Sequence, residues 1–323
     1  MAVTVDEWPA DGLERVRACP AFASPVRSLL YADLTDENAH CAPGRWTLWR
    51  CMACATAYLD PRPTGSTISL AYRSYYTHDG LGHEELSRLG ALVFATLSAQ
   101  GGANRLLDVG SGTGSLVLRA RELGWMAEGV EPDGVAVRAA QARGAPTTQG
   151  TVDALHLAQY DVITLNHVIE HVHEPTDVLR TCRRALRPGG SLWLAAPNVG
   201  SLGHRVLGTH WYGLDTPRHL TIFSEAGLDA ALRSAGFARL EWRPSVGLRE
   251  AGERVRRVVR HRRRVARVRR SEPRVDPEAD LPSAAVPMGR RIAQHPATHA
   301  ALRAAELLVP RTADELLVRA WPK

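Results

Sequence analysis

The 323-residue chain has no run of 18 or more apolar residues, which argues against a bilayer-spanning helix. Its start, Met1-Ala2-Val3-Thr4-Val5-Asp6-Glu7-Trp8, lacks a basic segment followed by an apolar one, so no secretory signal is expected and the cytoplasm is the default compartment. Cysteine is sparse: Cys19, Cys41, Cys51 and Cys54 lie near the start and Cys182 stands alone. That uneven placement suits a reduced compartment and a metal site better than a disulfide framework. No internal repeat is present.

What is there is 45% hydrophobic residues, enough for one substantial core with smaller appendages. The net charge of +6 has a local origin, because Glu253 to Arg270 holds ten Arg and one Glu and the remainder is slightly acidic. Val255, Val258, Val259, Val265 and Val268 recur there near helical spacing, predicting a basic amphipathic helix. A patch of this kind points to contact with an anionic surface, a membrane first, and so to a place peripheral to the inner face of that membrane. A nucleic-acid-binding protein using this stretch and a cysteine knuckle is the alternative, disfavoured because no aromatics interleave with the arginines.

From Arg105 onward short apolar runs alternate with amphipathic stretches, the pattern of a parallel sheet covered by helices. The pattern predicts strands at 105–109, 126–131, 145–149, 160–166, 190–196 and 237–243, and helices near 114–123, 133–143, 175–186 and 224–235. Arg187-Pro188-Gly189-Gly190 and Ser234-Ala235-Gly236 each read as a helix stop turning into a strand. Asp314 to Trp321 reads as a final strand. The expected organisation is an N-terminal cysteine module over 1–80, a doubly wound α/β domain over 81–245, a helical Arg-rich insertion over 246–311 and the last strand over 312–323.

Leu107-Asp108-Val109-Gly110-Ser111-Gly112-Thr113-Gly114 places a glycine-rich turn between a buried strand and a helix, where backbone can approach a ligand. The dinucleotide fingerprint is G-x-G-x-x-G; here the third glycine comes one residue early, which disfavours a nicotinamide-dependent oxidoreductase. Glu131, in Gly129-Val130-Glu131-Pro132-Asp133, ends the second strand, where a carboxylate can accept from both hydroxyls of a ribose.

These residues resemble class I methyltransferases that use S-adenosylmethionine (SAM), over about 105–243 plus the terminal strand. The resemblance implies a seven-stranded Rossmann-like sheet. It also implies SAM held by Asp108, Gly110, Ser111, Gly112, Gly114, Glu131 and Pro132, with Asp153 near the adenine and Asn166 and His167 lining the methyl-donor side. His167-Val168-Ile169-Glu170-His171 also fits the H-x-x-E-H pattern of a zinc peptidase group, but that pattern needs a helix, and here it directly follows an apolar strand.

The N-terminal segment is similar to a methyltransferase subgroup with two Cys-x-x-Cys knuckles before a D-P-R-P segment, here Asp60-Pro61-Arg62-Pro63. The first knuckle is broken, with Phe22 where a second cysteine belongs. The resemblance implies a zinc site of Cys19, Cys51 and Cys54, with Cys41 or His40 as replacement ligand, or else a small apolar core. It extends to Tyr75-Tyr76-Thr77-His78 and to the loop His210-Trp211-Tyr212-Gly213-Leu214-Asp215-Thr216-Pro217-Arg218-His219, and implies a small-molecule or sugar acceptor, nucleotide-linked deoxysugars methylated at carbon included, with O-, N- and C-methylation all open; a lipid-linked acceptor would suit the basic patch. Tyr75, Tyr76, Trp211, Arg218 and His219 are the candidate acceptor residues. His219 is the expected base, Asp215 its orienting carboxylate, and His167 and Tyr76 the competitors.

Overall fold

The computed structural model describes residues 7–72, 88–97, 104–152, 159–243 and 313–323. The Arg-rich segment, the rest of the expected insertion, Tyr75, Tyr76 and Asp153 lie outside the described residues. Five strands come first: β1 (Leu13–Glu14), β2 (Arg27–Leu34), β3 (Trp46–Cys51), β4 (Ala57–Leu59) and β5 (Arg62–Pro63). They are followed by α1 (Arg88–Leu97), β6 (Arg105–Val109), α2 (Ser115–Glu122), β7 (Met126–Glu131), α3 (Gly134–Ala142) and β8 (Thr147–Gln149). Then come β9 (Tyr160–Asn166), α4 (Pro175–Ala185), β10 (Leu186–Pro197), α5 (Leu202–Leu207), β11 (Thr221–Ile222), α6 (Glu225–Ser234), β12 (Phe237–Arg243) and β13 (Glu315–Pro322).

Seven strands form the main sheet in the order β12-β13-β10-β9-β6-β7-β8. The run from β10 to β8 is parallel, while β13 inserts antiparallel between β10 and β12. The alternation of side chains along each strand explains why both faces are apolar. Leu107, Ile163, Leu192 and Leu194 pack into one core with α4 and α6, and Leu106, Val162 and Trp193 into a second with α1 and α2. Truncating any one of these buried leucines to alanine costs about 2–5 kcal/mol. Helix starts are capped where the sequence offers caps: Asp133 accepts from Val135 N at 2.8 Å, and Ser224 from Gly227 N at 2.9 Å.

The predicted strands and helices from 105 to 243 are all present, with two differences of extent. β8 is confined to Thr147–Gln149, and β10 begins at Leu186, before the predicted 190, because Arg187–Gly190 forms an irregularity that shifts its register against β9. Residues 167–171 form a turn and no helix, so the H-x-x-E-H segment lacks the helical face that a peptidase site needs.

Strand order reverses between β6 and β9, so the loops leaving these two neighbours diverge and open a crevice at the C-terminal edge. A second sheet, β11-β4-β3-β2, covers the acceptor loop that follows β10. It takes its edge strand β11 from that loop, with Thr221 opposite Tyr58 and Ile222 opposite Ala57. Trp46, Leu48 and Leu59 share a core with Trp211, Leu214 and Leu220, so the N-terminal segment and the loop bury one another.

Candidate functional site

The glycine loop leaves β6 with φ of +69° at Gly110, +52° at Gly112 and +78° at Gly114, values that L side chains rarely adopt. A Cβ on Gly110 would stand 2.4 Å from Val168 Cγ2, and one on Gly114 2.4 Å from Ala145 Cβ. The early third glycine therefore has a packing reason: Gly114 is the N-cap of α2 and seats that helix against the segment leading into β8. Glu131 is buried, and its two carboxylate oxygens each take one backbone N–H, Gly112 N at 2.9 Å and Asp133 N at 3.0 Å. Each oxygen keeps a further lone pair, so the carboxylate is both fixed and able to receive a diol. Ser111 Oγ beside it is buried with no partner among the described residues. This donor set suits the ribose end of SAM.

Asp108 at the root of the loop accepts from Thr164 Oγ1 at 2.6 Å. Burial pushes its carboxyl up to about 7; the Thr164 bond opposes the shift and the charge of Glu131 adds to it. Asn166 closes β9, and His167 follows with φ +56°. The His167 ring lies between Glu170 Oε1, 3.1 Å from Nδ1, and Glu315 Oε1, 3.4 Å from Nε2. Burial opposes its charge, but the two carboxylates outweigh it and raise the imidazole to about 10. Both ring nitrogens are thus engaged in an ion pair tying β9 to β13, which withdraws His167 as a competitor of His219 for the role of base.

The acceptor loop divides the predicted residues in two. Arg218 is fully buried: Nε and Nη2 donate to Asp215, Nη1 to Asp36 and the Ala71 carbonyl, and Nη2 also to Asp36. The expectation that it is an acceptor residue is corrected, because its donors are spent inside the protein on two carboxylates. Burial would raise both carboxyls, yet Arg218 holds Asp36 and Asp215 below the usual range. Trp211 is corrected likewise: it is buried, and its indole N–H donates to Asp314 Oδ1 at 2.9 Å. Asp215 serves Arg218 first, with Oδ2 standing 3.9 Å from His219 Nε2, too far for a hydrogen bond.

His219 remains with the crevice residues. Its Nδ1 donates to the Gly213 carbonyl at 2.8 Å, which leaves Nε2 as the lone pair. Its ring meets that of His171 edge-on at 4.7 Å between centroids. Burial, then the neighbouring His219, lowers His171 to about 4 and keeps it neutral. One ligand atom each from Glu170, His171 and His219 lies within 4.8 Å of the others. Sequence reasoning missed Glu170 as a member of this group, though the residue stood inside a quoted motif. It also missed Tyr72, whose hydroxyl is 3.2 Å from His171 Nδ1, and Asp36, for which a lone Asp far from Arg218 gives no signal.

Near the start, Cys19, Cys51 and Cys54 are buried together, with Sγ of Cys19 and Cys54 3.7 Å apart. The two knuckles have one backbone form: Ala23 N donates to Cys19 O at 2.8 Å and Ala55 N to Cys51 O at 2.9 Å, with φ +55° and +63° at the two alanines. Phe22, in the place of the missing cysteine, is 50% exposed. Cys41 is not with them. Its thiol lies 3.6 Å from Arg218 Nη1 and 3.4 Å from the Ala71 carbonyl, which corrects its proposed place as a fourth ligand. Cys54 is lowered, first by its hydrogen bond with Cys19, and Cys19 is raised by the same bond and by burial.

A family model described as a methyltransferase domain matches residues 80–241. The chain belongs to this methyltransferase domain family. The matched span carries the glycine loop, Glu131, the Glu170 turn and His219 of the methyltransferase, and the strand order is that of the class I fold. The nicotinamide alternative gives way to this match. A ubiquinone biosynthesis O-methyltransferase of Rhizobium rhizogenes is 34% identical over 102 residues, covering 29% of this chain and 41% of the relative. One of the same name from Xanthomonas oryzae pv. oryzae is 30% identical over 146 residues, covering 41% and 61%. The chain thus spans about half the length of the curated relatives it matches. Among solved structures, an S-adenosylmethionine dependent methyltransferase from Mesorhizobium loti aligns with a TM-score of 0.45 at 17% identity, covering 74% of this chain and 99% of that one. Among the described residues, no helix is long and apolar enough to cross a membrane.

Proposed function

We propose that this chain methylates an oxygen of a small-molecule acceptor with SAM, in the crevice between the glycine loop and the loop carrying His219. The observation that carries the reading is a short physical connection. Val168 packs on Gly110, and two residues later Glu170 meets His171 and His219, so the cofactor loop and a group of proton-accepting side chains share one edge of the sheet. Gly110, Gly112, Gly114 and Glu131 would hold SAM, and the family's cofactor supplies a methyl group already activated by a sulfonium. What the protein adds is position and proton management. His219, its Nδ1 committed to the Gly213 carbonyl, presents a bare Nε2 to take the acceptor's proton. The names of the relatives favour an oxygen acceptor; sugar and lipid-linked acceptors fall within the same chemistry.

On this reading His219→Ala lowers turnover by about 10²–10⁴-fold and leaves SAM affinity nearly intact. Calorimetry with SAM and a methyl-transfer assay over phenolic and sugar acceptors measure the two halves. Absence of saturable SAM binding to the wild type would overturn the function.

The N-terminal thiols are proposed to hold zinc through Cys19, Cys51 and Cys54, with a non-protein fourth ligand. A Zn–S bond of about 2.3 Å places two sulfurs of a tetrahedral site about 3.8 Å apart, close to the 3.7 Å between Cys19 and Cys54. One equivalent of zinc in the purified protein, lost in Cys54→Ser, is the expected result; a metal-free protein of full stability refutes it. The Arg-rich segment is proposed to rest on anionic membrane, and equal flotation with anionic and neutral liposomes would end that idea.

A further inference from the structure

We propose that Glu170, His171 and His219 bind one divalent cation beside the methyl-transfer crevice. The purpose of such a site rests on the methyltransferase reading; its chemistry does not.

Glu170 is completely buried, and only one of its oxygens is satisfied: Oε1 meets His167, while Oε2 has no partner among the described residues. A buried carboxylate oxygen without a partner is costly, and one oxygen of this carboxylate lies within 4.8 Å of a ring nitrogen of each of two imidazoles. Both rings are held in the tautomer that a metal requires. His219 Nδ1 donates to the Gly213 carbonyl at 2.8 Å and His171 Nδ1 to the Arg218 carbonyl at 3.0 Å, so each keeps Nε2 as a bare lone pair. A ring N–H on a backbone carbonyl with the other nitrogen free is the usual support of a metal-binding histidine. The obvious protein cation is elsewhere: Arg218 is consumed by Asp36 and Asp215. His167 already sits on the opposite carboxylate oxygen of Glu170.

Two imidazoles and a carboxylate suit zinc, manganese, iron or cobalt, and three protein ligands leave positions open for acceptor oxygens. A cation there lowers the proton affinity of an acceptor hydroxyl, whose proton then leaves to water while His219 Nε2 is bound as a ligand; in the metal-free site the same Nε2 is the base of the proposed function. In the H-x-x-E-H segment the glutamate is thus a ligand and the first histidine is its ion-pair partner.

The test is titration of the full chain with Mn²⁺, a hard cation that avoids the thiol cluster, followed by electron paramagnetic resonance. One saturable Mn²⁺ per chain is expected, weakened by at least about tenfold in Glu170→Gln and in His219→Asn. SAM affinity, measured by calorimetry on the same samples, stays. Pulsed resonance on the Mn²⁺-loaded wild type, which needs no variant, is expected to detect imidazole nitrogen coupling. No saturable binding, binding that survives both substitutions, or no nitrogen coupling overturns the site while leaving SAM binding untouched. Loss of SAM binding by the wild type would instead overturn the methyltransferase reading, with the Mn²⁺ result standing by itself.

Discussion

Replacing Arg218 by methionine keeps a long side chain but removes the one charge that two buried carboxylates share. Arg218 is 0% exposed at its side chain, Asp36 1% and Asp215 8%, so the variant leaves both carboxylates in place with little water to solvate them. Breaking a buried pair from one side costs about 3–5 kcal/mol, and here two partners are orphaned, so the upper part of that range applies at neutral pH. The pH dependence separates this cause from lost packing. In the wild type Arg218 holds the folded pKa of both acids below the unfolded value of about 3.9, so the pair's stabilisation is present above that pH and is lost as pH falls through the folded pKa. In the variant only burial and the remaining hydrogen bonds act, so the folded pKa rises above the unfolded one, and stability increases as pH drops from 7 toward 4. Urea unfolding followed by tryptophan fluorescence at about pH 7.5 and about pH 5 is the assay. The gap between wild type and variant is expected to shrink at the lower pH. A variant within about 1 kcal/mol of wild type at neutral pH, or a gap that widens on acidification, refutes the ion-pair account. Raised acceptor KM with unchanged stability would return Arg218 to the acceptor.

Glu131→Ala is expected to weaken SAM binding by about 1.5–3 kcal/mol, the range for hydrogen bonds to a charged group, by calorimetry, with NADH showing no saturable binding. Unchanged SAM affinity would remove Glu131 from the ribose. Asp108 has its folded pKa near 7, above the unfolded value, so it lowers stability progressively as pH rises from about 4 to 7. Asp108→Asn, which keeps an acceptor for Thr164, flattens that slope in thermal melts; an identical slope in the two proteins would contradict the burial argument.

The order of strands and helices from 105 to 243 was legible because each element carries its own signal. Apolar runs such as Val162-Ile163-Thr164-Leu165 suit burial on both faces of a parallel sheet, and Asp133 and Ser224 mark helix starts through bonds made within three residues. The glycine loop was legible for the same reason, since strand, turn, helix and Glu131 follow one another along the chain. What misled the reading of the acceptor loop is that residue type says nothing of who stands opposite. Arg218 looks like an anion receptor until Asp36, 182 residues away, is brought to its other side. Trp211 looks like an acceptor residue until Asp314 takes its N–H.

The chain by itself determined the class of fold, the glycine-rich loop and the acid at the end of β7, because propensity, period and short-range caps act over a few residues. Tertiary structure alone decided which polar side chains are spent and which are left. His167 is locked between Glu170 and Glu315, Cys41 is drawn to Arg218 and away from the three clustered thiols, and Glu170 meets His219 across a turn and a loop. Burial makes each of these pairings matter, since a polar group out of water must find its partner wherever the fold brings one.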